Sequence, residues 1–206
     1  MSKVVEINGQ IFMNVETNFY TVKIPSMLKT KPVLKKYMVN SPIIEWKIPK
    51  PPLSLILNFI NVAVDVYKHY GSEVEGFVLF DTNTHKYEMF YPTQKVSAAS
   101  CEFEYIIPEN KALVLDLHSH HMMSIPFSGT DDGDDECKSL LPNISVVVYK
   151  LNQMNMFEIE KNIACRLTYF GSFFDMKITD VVHNDVIDTS WREKVIKKEE
   201  PRHMSK

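Results

Sequence analysis

The sequence predicts a mixed α/β chain of the α+β type, a mixed β-sheet flanked by helices with a small β-rich lobe ahead of it. Three observations carry that prediction. Residues 1–50 alternate apolar and polar side chains in short runs, the period of half-buried strands. Residues 53–70 instead repeat apolar side chains every three or four positions, the period of a helix packed on one face. Beyond them, apolar runs of strand length alternate with turns, and one of these, 112–117, leads straight into His118-Ser119-His120.

In chain order, strands are expected over 4–7, 11–15 and 19–24, with Pro25, Pro32, Pro42 and Pro49 as punctuation. The cluster Pro49-Lys50-Pro51-Pro52 marks a boundary. It divides the chain into a lobe at 1–50, a main domain at 51–183 and a charged tail at 184–206. In the helix over 53–70, Leu53, Ile56, Leu57, Ile60, Val64 and Tyr67 share a face, Ser54 is the candidate cap and Gly71 the stop. A hairpin follows, with strands over 74–80 and 86–91 around Asp81-Thr82-Asn83-Thr84. Further strands are expected over 101–107, 112–117 and 144–149, and a strand pair over 157–159 and 164–170. A short helix over 130–141 starts on Thr130 as N-cap, with acidic residues in its first turn.

The 206 residues are 45% hydrophobic, enough for one well-buried core. A formal net charge of −3 and the lack of a long basic run argue against nucleic acid as a partner. Cys101, Cys137 and Cys165 are odd in number and widely spaced, which gives neither a disulfide framework nor a cysteine zinc site. The first residues lack the apolar core of a signal peptide, and the most apolar stretch, 52–67, is broken by Asn58, Asn61 and Asp65. A cytoplasmic protein with no membrane partner is expected.

The chemistry is concentrated in His118-Ser119-His120 and, seven residues later, Ser128-Gly129-Thr130-Asp131. In extended chain, positions two apart point to one side, so both imidazoles can converge on one ion. A loop then brings Asp131 back at a helix start. Two histidines and a carboxylate with an open fourth place are the ligand set of a catalytic Zn2+ site, where bound water is acidified towards ~7. Hydrolysis there also needs a base and an oxyanion donor. Ser128 is placed to be the donor, and Glu73 and Glu75 are both candidates for the base.

The pattern His-x-His-x7-Ser-x2-Asp, present here in full, resembles the signature of the JAMM or MPN-plus (Mov34/JAB) zinc metalloproteases. Glu73-Val74-Glu75-Gly76 matches that family's upstream Glu-x-x-Gly, which selects Glu73 over Glu75. The resemblance spans roughly residues 53–180. It implies an MPN/JAB-like, cytidine-deaminase-like sheet with His118, His120 and Asp131 as zinc ligands. It also implies Glu73 as general acid/base, Ser128 as oxyanion stabiliser, and cleavage of a peptide or isopeptide bond. The partner so implied is a protein or peptide, such as a ubiquitin-like or small carrier protein. His121 stands where many members have Pro, and 127–132 and 166–171 are closer to a bacterial plasmid and phage branch similar to PRTRC system protein A.

Other features are weighed beside this. Asp116, two before His118, is placed to orient an imidazole, and His121 to line the cleft. The acidic run 131–136 lacks the spacing of a calcium loop and reads as a solvated helix start. The rival readings are a non-catalytic MPN-fold interaction module, whose mark would be lost ligands, and a zinc hydrolase of a non-protein amide.

Overall fold

The structure, a computed structural model, describes residues 3–7, 10–26, 41–138, 141–155 and 158–185, the side chains of 136–138 excepted. The expected tail beyond residue 185, residues 139–140 of the expected helix and Phe157 of the expected strand pair lie outside the described residues. The described part is mixed α+β. Strands β1 (Lys3–Ile7), β2 (Gln10–Glu16), β3 (Tyr20–Pro25) and β4 (Ile43–Trp46) pair in chain order as an antiparallel sheet. Alternation works as its period requires: Tyr20, Val22 and Ile24 of β3 are buried while their neighbours are half-buried.

Helix α1 (Leu53–Tyr70) has the predicted extent. Gly71 ends it at φ 62°, its N–H donating to the Tyr67 carbonyl at 2.9 Å. Ser54 does not cap its start. The N-cap residue is Pro52, which offers no side-chain acceptor. The Asp185 carboxylate instead accepts the Ser54 N–H at 2.9 Å, and the Ser54 hydroxyl as well. The buried stripe is also turned from the predicted one: Ile56, Phe59, Ile60 and Ala63 are enclosed, while Leu57 and Val64 are only partly buried. Gly76 explains the turn. A Cβ there would stand 3.1 Å from ring carbons of Phe59 and Tyr91, so its absence lets the helix seat Phe59 on the sheet.

That sheet begins with the predicted hairpin, β5 (Glu75–Asp81) and β6 (Lys86–Phe90). Asp81 closes its turn, accepting the N–H groups of Asn83 and Thr84 at 2.8 Å. The expected strand over 101–107 is shorter. Cys101–Phe103 (β8) pairs with Gln94–Val96 (β7) in a two-stranded ribbon, and the chain leaves the strand as the Phe103 and Tyr105 rings close on Phe77, centroids 5.6 and 5.4 Å away.

Strand β9 (Lys111–His120) runs antiparallel to β5 and carries both histidines within it. Helix α2 (Gly129–Lys138) follows, and β10 (Asn143–Tyr149) returns parallel to β9. Among the described residues the expected strand before 164–170 is not formed, since Ile159–Asn162 is a 3-10 turn. Strand β11 (Ile163–Tyr169) pairs instead with β12 (Ser172–Met176) across Phe170-Gly171, both left-handed at φ 46° and 67°. Phe is a poor residue for that conformation, so the usual two-residue turn signal was missing from the sequence. A short helix α3 (Ile178–Val181) leads back to the start of α1, where Leu53 N–H donates to the His183 carbonyl.

The resulting six-stranded sheet has the order β12-β11-β10-β9-β5-β6. Val15, Tyr20, Val22 and Ile24 from the N-terminal sheet share one buried cluster with α1 and the six-stranded sheet, so both sheets close a common core. Among the described residues no helix is long and apolar enough to cross a membrane.

Candidate metal centre

The site lies at the carboxyl end of β9, beside the parallel strand β10, where an open sheet characteristically leaves a crevice. Strand alternation decides what faces it. Leu115, Leu117 and Ser119 turn inward, while Asp116, His118 and His120 line the cleft. On β5, Gly76 faces α1, which sends Glu75 to the cleft side; Glu73, just before the strand, lines the cleft too. The cleft measures about 260 Å3, and the β7–β8 ribbon and the start of α2 form its walls.

Asp131 arrives through a reciprocal cap on α2. The helix begins one residue before the expected start, and Ser128, not Thr130, fills the capping role. Ser128 Oγ accepts the Asp131 N–H at 3.4 Å, and Asp131 Oδ2 accepts the Ser128 N–H. Ser-x-x-Asp is thus a capping box, and it aims the Asp131 carboxylate back over the strand end. Because Ser128 Oγ accepts in the cap, its hydroxyl proton stays available to the cleft.

His118, His120 and Asp131 converge. His118 Nε2 lies 2.8 Å from His120 Nε2 and 3.0 Å from Asp131 Oδ1, and His120 Nε2 lies 3.2 Å from Asp131 Oδ2. His120 Nδ1 donates to the Ile125 carbonyl at 3.2 Å, which turns the Nε2 lone pair towards the group. Facing lone pairs at such distances need a shared proton or a cation between them. Ligand atoms around tetrahedral zinc stand roughly 3.3 Å apart, given bonds of about 2.0–2.1 Å. The contacts are on this scale, and the three residues, one ligand atom from each, could hold a metal ion.

Electrostatics at the site follow from burial and these contacts. Burial opposes the charge on Asp131, yet the hydrogen bonds with His118 and His120 hold its carboxyl well below the usual range. Burial raises the Glu73 carboxyl, the imidazoles of His120 and His118 oppose that, and the Asp131 carboxylate adds to it. Glu73 is 6% exposed, and its Oε1 is enclosed without a hydrogen-bond partner. A carboxyl raised in this way takes up a proton more readily than a solvated one, the property a general base needs.

Two residues whose roles the sequence does not reveal hold the backbone that follows Glu73. Ser119, between the two histidines, accepts the Val74 N–H on its Oγ at 3.0 Å and donates its own N–H to the Val74 carbonyl at 3.1 Å. Gln94 grips the Glu75 peptide from both sides: its Oε1 accepts the Glu75 N–H and its Nε2 donates to the Glu75 carbonyl, each at 2.9 Å. A polar residue inside a buried strand was the available signal for Ser119; Gln94 had none. Asp116 is buried on the cleft wall, one alternation below His118. His121 is not brought to the group. Its ring sits edge-on to Tyr67 at 6.0 Å, and its Nδ1 accepts the Met122 N–H at 2.7 Å.

The sequence matches no known family model and no curated protein.

Proposed function

We propose that the protein is a zinc-dependent metallopeptidase of the JAMM type, built on an MPN/JAB-like domain, that hydrolyses a peptide or isopeptide bond. One observation carries the reading: the atoms of His118, His120 and Asp131 stand together in one cleft with Glu73, whose buried Oε1 has no hydrogen-bond partner. These three residues would hold the ion, and bound zinc would supply a Lewis acid that lowers the pKa of a water to about 7. Glu73 takes the water's proton and passes it to the departing amine, a role suited to a carboxyl raised by burial. Ser128 points a hydroxyl proton at the oxygen that gains charge during attack. The resemblance of the His-x-His-x7-Ser-x2-Asp pattern to peptidases places the substrate among protein or peptide tails, with a ubiquitin-like or small carrier protein as the leading class.

The test is a metal assay joined to a cleavage screen. Purified protein should carry about one zinc per chain and cut a member of a panel of ubiquitin-like fusions and short peptides. Chelation should abolish cleavage and added zinc restore it. A folded protein that neither carries nor takes up zinc would sink the proposal.

A further inference from the structure

Helix α2 carries Asp131, yet it is a poor helix by composition. Residues 129–135 are Gly-Thr-Asp-Asp-Gly-Asp-Asp, with two glycines, four aspartates and no aliphatic or aromatic side chain. Glycine and aspartate are weak helix formers, and crowded carboxylates repel. No apolar stripe is available to seat this segment on the sheet. The capping box secures its first residues only.

The anchor is Arg166 of β11, a side chain 4% exposed. Its Nε donates to Asp135 Oδ2 at 2.8 Å and its Nη1 to Asp132 Oδ1 at 2.6 Å, so one guanidinium grips two successive turns of α2. Its Cζ lies over the Phe127 ring, 3.8 Å from the centroid, and over the Phe173 ring of β12, at 4.4 Å. Phe127 directly precedes the capping Ser128. Asp135 also accepts the hydroxyls of Ser145 at 2.8 Å and Thr168 at 3.2 Å. Ser145 stands opposite Asp116 on one side and Arg166 on the other, so this cluster occupies the row of the sheet next to that of His118. Burying a cation with two carboxylates is costly unless geometry and hydrogen bonding are good. Here Nε and Nη1 hold two carboxylates and two ring faces pack on the guanidinium, a geometry Arg provides and Lys does not, although Nη2 is buried without a hydrogen-bond partner.

We propose that Arg166 is a positioning residue for the metal centre: through Asp132, Asp135 and Phe127 it fixes the first turns of α2, and with them Asp131 against His118 and His120. The inference rests on the metal reading of that site.

The experiment compares Arg166→Met, Arg166→Lys and Asp132→Asn with the parent by two measurements. One is zinc affinity, by competition with a chromophoric chelator. The other is amide hydrogen exchange in zinc-free protein. Arg166→Met should weaken zinc binding by ~10–100-fold, the scale seen when groups supporting metal ligands are lost. It should also open the amides of 129–135 to exchange while those of β9 and β10 stay protected. Arg166→Lys should recover only part of the affinity, and Asp132→Asn, which leaves the Asp135 grip, should lose less than Arg166→Met. Unchanged affinity with unchanged protection of 129–135 would overturn the inference, as would a rise in exchange spread evenly over the sheet. Should Arg166→Met not fold, Asp132→Asn decides alone, and parental behaviour in both measurements overturns the inference. If the parent binds no zinc, the peptidase reading falls while exchange at 129–135 still decides whether Arg166 holds the helix.

Discussion

At the scale of single residues, Asp131 does two things at once, and the two can be separated. Its side chain accepts the Ser128 N–H in the capping box and faces both imidazoles. Asn can keep the first contact through its carbonyl oxygen but has no charge for a cation. Asp131→Asn should therefore weaken zinc retention, read by chelator competition, while keeping the contact that starts α2. Glu73 separates the other way. Glu73→Gln keeps the shape and the three ligand residues but cannot carry a proton between water and amine. It should hold zinc like the parent and lose turnover by about 10²–10⁴-fold, the usual share of general acid–base catalysis. Undiminished cleavage would move the base to Glu75, which lines the same cleft. The residues with chemistry were legible because their spacing repeats a known pattern. Ser119 and Arg166 were not, because their roles depend on which strands become neighbours, and a one-dimensional pattern does not show that β11 lies within reach of α2.

At the scale of elements, periodicity gave α1, the β5–β6 hairpin, β9 and β10, since each carries its burial pattern within itself. What it could not give were contacts made by distant chain. The cap of α1 is one such case. Ser54 stands where a local cap was expected, yet the acceptor is Asp185, 131 residues away. Burial would raise the Asp185 carboxyl, but the Ser54 hydroxyl and N–H outweigh it and hold the group below its ordinary value. A carboxyl lowered in the folded state adds stability above its unfolded pKa of about 3.9, and that stability is lost as pH falls through the folded value. Asp185→Ala should thus lower stability in urea unfolding at neutral pH, by less than the ~1 kcal/mol of an enclosed cap because water competes at this exposed site. Its deficit should shrink as the pH is lowered below about 4. Asp185→Asn, itself a good cap, should keep most of the neutral-pH stability. A deficit that is the same at pH 3 and pH 7 would mean the carboxylate is not the acting group.

At the scale of the whole molecule, the two sheets pose the question of whether the chain melts in one step or two. The Pro49–Pro52 punctuation marks off a small N-terminal lobe, and the inner faces of the two sheets meet in one cluster around Ile56, Phe59 and Ile60. Polar contacts cross the same seam. The buried Tyr20 hydroxyl donates to the Pro142 carbonyl at 2.9 Å, next to the start of β10, and Trp46 Nε1 donates to the Asp180 carbonyl at 3.2 Å. A four-stranded sheet of this size, stripped of that contact, would expose Tyr20, Val22 and Ile24 together, and small cores of that kind are marginal by themselves. Unfolding should therefore be a single cooperative event. In a Trp191→Phe background, Trp46 fluorescence reports the N-terminal sheet, and far-ultraviolet circular dichroism is weighted towards α1. The two urea curves should superimpose. Tyr20→Phe, which strands the Pro142 carbonyl, should shift both to lower urea together, by about 1–3 kcal/mol. A fluorescence change that completes before the dichroism begins to fall would establish two independent units.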